Sequence, residues 1–144
     1  MTKILARAAD ADGPVASECE VRIKDGVADL DEDGAIAMPE SLRIGPFDYT
    51  VVEKPELECE KSGNIGHLDS GAFEIGVALH VPPQRQAEVM LHEVFHGVFR
   101  GFGFDLDHDL EEKLVTLLAQ GMLQVMRDNP EMIAWIYDRI GLKP

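Results

Sequence analysis

The chain reads as an α+β domain: a small twisted sheet, antiparallel or mixed, followed by three helices. Three observations predict this class. Strand-like alternation lies before Pro82 and is clearest from Phe73 to Val81. Helical periodicity fills residues 84 to 140. The break between the two regimes is Pro82-Pro83, which stops a strand and opens a helix.

Taken in order, residues 1 to 17 are small and polar and predict a frayed or loosely packed end. Cys19 to Lys24 alternates apolar with polar residues, as a strand does. Residues 1–41 are therefore expected to be an acidic N-terminal segment, partly strand-forming or loosely ordered, and residues 42–144 the folded domain. Leu42 to Ile44 and Phe47 to Val52 flank Gly45-Pro46, and the second run is rich in β-branched and aromatic residues. Ser62-Gly63-Asn64-Ile65-Gly66 is turn chemistry. In Phe73 to Val81, the residues Phe73, Ile75, Val77, Leu79 and Val81 face one way, and Glu74, Gly76, Ala78 and His80 the other. A helix from about Gln84 to Arg100 carries Ala87, Leu91, Val94, Phe95 and Val98 at helical spacing and stops at Gly101-Phe102-Gly103. A second runs from about Leu110 to Arg127 with Leu114, Leu117, Leu118 and Val125 on its buried side. Asn129-Pro130 opens a third, which is expected to cover the core.

Length and composition suit one globular domain: 144 residues, 45% hydrophobic and 28% charged. The net charge of −14 repels phosphate backbones, so nucleic acid is not an expected partner. No apolar run approaches the ~18 residues of a membrane span. No secretory leader is visible at Met1 to Arg7, and Cys19 and Cys59 each sit between glutamates. Flanking carboxylates disfavour a thiolate, so two reduced thiols in a cytoplasmic protein are expected.

The chemistry-bearing pattern is His92-Glu93-Val94-Phe95-His96. Two histidines four apart lie on one helix face, a turn apart, so both imidazoles can reach one ion. Zinc, Zn2+, takes neutral imidazole nitrogen in tetrahedral or five-coordinate geometry. Glu93 projects beside the ion, where it can take a proton from water activated by the metal. The chain has only 5 histidines, so the spacing is rare by chance. The surrounding helix is strongly apolar, where such residues are costly unless they bind something.

The third ligand is left to the next helix. A metzincin-type extension would need Gly at 99 and His at 102, where the chain has Phe99 and Phe102. Glu112 is preferred, because Thr116 and Ala119 beyond it are small and let that face approach the His92 helix. Glu111, in line with Leu114, Val115 and Leu118, is the alternative, and an aspartate of the connector the third choice. A capping box with Asp109 as N-cap and Glu112 at N3 competes for Glu112.

On these residues the chain resembles the compact gluzincin-like metallopeptidases of the ImmA/IrrE type, including small phage-encoded relatives. The resemblance covers residues 42 to 127 and rests on the strand Phe73 to Val81, on Leu91 to His96, and on Glu112 followed by Leu118-Ala119. It implies a minimal zincin-like fold with zinc held by His92, His96 and Glu112, Glu93 as general base, and a peptide or protein substrate. Phe95 stands where the family has glycine, and Thr116 where it has Asn or Asp. No DNA-binding or sensory module is visible, so repressor cleavage is not expected to transfer.

In such folds peptide substrate can add to an edge strand above the zinc, and Phe73 to Val81 is the expected strand. His80, at its end, is a candidate substrate contact, with a plain surface histidine the favoured alternative. His67, His108, Tyr49 and Tyr137 are the candidate oxyanion donors. A weaker signal, Asp29-Leu30-Asp31-Glu32-Asp33-Gly34 with Glu40, matches a calcium loop. Its strand-like approach and Pro39 favour a solvated acidic turn. The other function classes are a zinc-binding structural or interaction protein with a non-catalytic site, and a calcium-responsive module on residues 29–40.

Overall fold

A computed structural model describes residues 2–6, 19–23, 34 and 36–141, the first two stretches as backbone only. The chain divides into two compact units, one from Met1–Met38 and Asn129–Pro144 and one from Pro39–Asp128. In the first, strand β1 (Thr2–Ala6) pairs antiparallel with β2 (Cys19–Ile23), Thr2 opposite Ile23. The strand expected at Cys19 to Lys24 is present as β2, and Thr2–Ala6 is its partner. Asp29, Asp31 and Asp33 of the calcium-loop pattern lie outside the described residues.

The second unit carries a four-stranded sheet in the order β3-β4-β6-β5. Strands β3 (Ser41–Ile44) and β4 (Phe47–Glu53) form the hairpin around Gly45-Pro46, with Gly45 at φ 58° as the turn requires. Helix α1 (Glu56–Ser62) follows Pro55 and ends on Gly63, whose left-handed φ of 72° lets its N–H return to Cys59 O. The chain then forms β5 (Gly66–Asp69) and β6 (Glu74–Val77), antiparallel to each other, with β6 parallel to β4.

Neither α1 nor β5 stands out in the sequence pattern. Glu56 to Ser62 is charged, and β5 spans only four residues, too few for periodicity to register. Strand β6 is shorter than the alternation suggests. Phe73 takes a positive φ of 51° and breaks the strand at its start. Beyond Ala78, which still donates to Ile65 O, the chain bends towards Pro82-Pro83. The expected edge strand is thereby corrected. Strand β6 is interior, paired on both sides, and the edges are β3 and β5, with β5 the one beside it.

Register decides the two faces. Tyr49, Val51, Ile75 and Val77 are buried on one. The other is polar, with Arg43 opposite Asp48 and His67 opposite Gly76. Helix α2 (Pro83–Gly101) packs on the buried face through Val89, Glu93 and Gly97, spaced four apart. Gly97 is needed there, since a Cβ would stand 2.8 Å from Ile44 Cδ1. Helix α3 (His108–Asp128) packs against α2 through Val115 and Ala119. Leu117 and Leu118, expected inside, are exposed, because the helix is turned so that Val115 rather than its leucines meets α2. Helix α4 (Pro130–Arg139) belongs to the first unit and has Pro130 in its first turn. Among the described residues no helix is long and apolar enough to cross a membrane.

Candidate metal centre

On an α-helix successive residues differ by about 100°, and α2 uses this to serve two neighbours at once. Glu93 and Gly97 turn towards the sheet, while His92 and His96, one position back, turn towards α3. Helix α3 answers with Glu111 and Glu112 from its first turn. That turn is capped by Asp107, whose Oδ2 accepts the Leu110 N–H at 3.3 Å. The cap is thus Asp107 rather than Asp109, the competing capping box does not form, and Glu112 is not consumed as a cap.

Ligand atoms of His92, His96 and Glu112 all lie within 4.8 Å of one another. The two Nε2 atoms are 3.2 Å apart. Glu112 Oε1 is 3.0 Å from His96 Nε2, and Glu112 Oε2 is 3.4 Å from His92 Nε2. Zinc bonds of ~2.0–2.1 Å in tetrahedral geometry separate ligand atoms by about 3.3–3.4 Å. Glu112 meets each histidine through a different oxygen, and one donor atom from each of the three residues lies within 4.8 Å of the others, close enough to share one ion. The donor set suits a cation: with both Nε2 atoms presenting lone pairs, an ion between them and Glu112 would offset their mutual repulsion.

Each residue has a distinct setting. His96 Nδ1 is 2.6 Å from Glu111 Oε1. His92 Nδ1 has only Thr116 Oγ1, at 3.5 Å. Burial holds His92 below the ordinary imidazole range, helped by His96, while Glu112 pulls it back up. Glu93 is buried, and burial pushes its carboxyl up to about 7. Glu112 adds to that shift, and His96, His67 and Lys54 oppose it. Lys54, buried at the end of β4, donates to Gly66 O at 3.5 Å. A buried lysine beside the glutamate of the motif left no signal in the spacing.

The site opens into two clefts that share His92, Glu93, Glu112 and Asn64. The larger, about 550 Å³, runs along β5 towards Arg100, Phe104 and His108. The smaller, about 280 Å³, runs towards Arg85, Glu88 and Gln120. At its rim Glu88 accepts from Arg85 Nη1 at 2.6 Å and from Gln120 Nε2 at 3.1 Å.

The other sequence candidates separate clearly. His108 lines the larger cleft, and Glu111 meets His96 rather than the shared centre of the three donors. His80 is exposed and lines neither cleft. His67, on β5, also lines the larger cleft, while its ring covers Gly76 and its Nε2 pairs with Glu74 Oε1 at 3.0 Å. Tyr49 is buried in the core against Phe73, and Tyr137 lies on α4 in the other unit. Cys59 is a buried free thiol.

Compared with known families, curated proteins and solved structures, the chain has no match. The geometry alone carries the assignment: a compact α+β zincin-like fold with a His92-Glu93-x-x-His96 and Glu112 cluster able to hold a divalent metal ion.

Proposed function

We propose that the protein is a zinc-dependent peptidase of the ImmA/IrrE-like gluzincin type, with His92, His96 and Glu112 as ligands and Glu93 as general base. The observation that carries this reading is the convergence of one donor atom each from His92, His96 and Glu112 within 4.8 Å of one another, with a buried glutamate next along the helix. Zinc held there would supply a Lewis acid that polarises a peptide carbonyl and acidifies water.

The chain's own residues do the rest. Glu93 accepts the proton of the attacking water as its oxygen bonds to the carbonyl carbon. It then passes that proton to the departing amine nitrogen as the C–N bond breaks. Its burial against the sheet, one position along the helix from His92, keeps it beside the centre and away from bulk water. The outer edge of β5 offers main-chain groups to an extended peptide, which would pair as a fifth strand across the two clefts. His108 and His67, which both line the larger cleft, are the sequence candidates for contact with the carbonyl oxygen, and His67 is already paired with Glu74.

The test is Glu93→Gln. The variant is expected to keep one zinc per chain and to lose peptide cleavage by about 10²–10⁴-fold on an unfolded protein substrate. Equal turnover by wild type and variant would sink the assignment of Glu93. Zinc binding with no turnover by either would favour a structural zinc protein instead.

A further inference from the structure

Glu111 and Glu112 are chemically identical neighbours, yet α3 sends them to different places. Glu112 reaches both Nε2 atoms. Glu111, about 100° round the helix, meets only His96, on the opposite side of its ring. The side chains of His96 and Glu111 are 12% and 15% exposed, so water competes little for this contact. The distance of 2.6 Å is that of a short, charge-assisted hydrogen bond. An ionised carboxylate can only accept, so His96 carries its proton on Nδ1 and donates it to Glu111. That leaves the Nε2 lone pair pointing at His92 Nε2 and Glu112.

We propose that Glu111 is the positioning residue of the metal centre: its carboxylate fixes the ring and tautomer of His96 so that Nε2 is the metal donor. The inference rests on the reading of His92, His96 and Glu112 as a zinc site, and it deepens that reading by ranking the two histidines. A carboxylate on the far nitrogen makes an imidazole a stronger ligand and holds its orientation. His96 has this support. His92 has a hydroxyl at 3.5 Å, too long to hold the ring firmly. His96 is thus the anchored ligand and His92 the adaptable one.

The competing role for the pair is to tie α2 to α3 and nothing more. Both roles lower thermal stability when Glu111 is removed, but only positioning acts on zinc affinity and on the His96 proton. The experiment uses the full chain and zinc alone, in competition with a chelator, for wild type, Glu111→Gln, Glu111→Ala and Glu112→Ala. Glu111→Ala is expected to bind one ion per chain about 10- to 100-fold more weakly. Glu111→Gln keeps an acceptor oxygen without the charge and should fall between it and wild type. Glu112→Ala, missing a ligand, should lose far more than either.

In the zinc-loaded wild type, NMR should show His96 protonated at Nδ1, with a strongly downfield proton that moves upfield in Glu111→Gln. Wild-type affinity in Glu111→Ala would overturn the proposal. So would a loss as large as that of Glu112→Ala, which would make Glu111 a ligand itself. Failure of the wild type to bind zinc would instead remove the functional reading beneath it.

Discussion

Gly66 on β5 and Glu93 on α2 are in contact so close that the glycine has no room for a side chain. A Cβ there would stand 2.7 Å from Glu93 Oε1 and 2.5 Å from a Val89 methyl. The edge strand and the glutamate of the motif therefore set each other's position. Gly66→Ala must push the strand outward or turn the carboxylate aside. The expected result is a loss of about 1–3 kcal/mol in stability and a fall in kcat larger than any change in zinc affinity. Unchanged kcat in a folded Gly66→Ala variant would contradict this.

Glu93 also gives the metal-free protein a pH signature. The folded chain holds its proton to about 7, against a reference of 4.5. Stability from this proton is fully present below about pH 4.5 and is lost as pH rises towards 7. Its size is on the order of 3 kcal/mol at most. His92 runs the other way. Its lowered pKa contributes stability above 6.5 that is lost as pH falls. The clean readout is the difference between wild type and Glu93→Gln in chelator, measured by thermal melts at pH 5 and pH 7.5. The variant should gain on wild type at the higher pH, and parallel behaviour would remove burial as the cause.

Much of this was legible in the sequence, and what escaped had a physical reason. His92, Glu93 and His96 could be read because one helix face fixes all three. Glu112 could be read only as one of two neighbours, because the rotation of α3 depends on Val115 and Ala119 meeting α2. The leucines misled: Leu117 and Leu118 suit a core by type but lie outside this one. Strand β5 was missed because its residues are Gly, His, Leu and Asp, with no β-branched side chain among them. With it went the identity of the edge strand.

Zinc should stabilise the fold in proportion to its occupancy. At free zinc a hundred times the dissociation constant, the gain is about 2.7 kcal/mol. Thermal melts with and without zinc should show the shift in wild type and in Glu93→Gln. It should be absent in His96→Ala. A shift that survives in His96→Ala would place the ion elsewhere.

Thr116 tests the proposed resemblance of α3 to the ImmA/IrrE-type helix, which has Asn or Asp at the matching position. Its Oγ1 faces His92 Nδ1 at 3.5 Å. Thr116→Asn carries an amide oxygen nearer to that nitrogen and is expected to raise zinc affinity severalfold in chelator competition. Weaker binding would mean that His92 is not held through Nδ1 from this position.

The capping of α3 by Asp107 and its packing through Val115 and Ala119 lock the helix at a single angular setting. Turned by one residue's worth of rotation, the same helix would offer Glu111 to the histidines and swing Glu112 away. Choice between twin carboxylates is thus delegated to an aspartate and two small apolar residues that never approach the ion. Substitutions at Val115 or Ala119 would accordingly weaken metal affinity as well as the packing of α3 on α2.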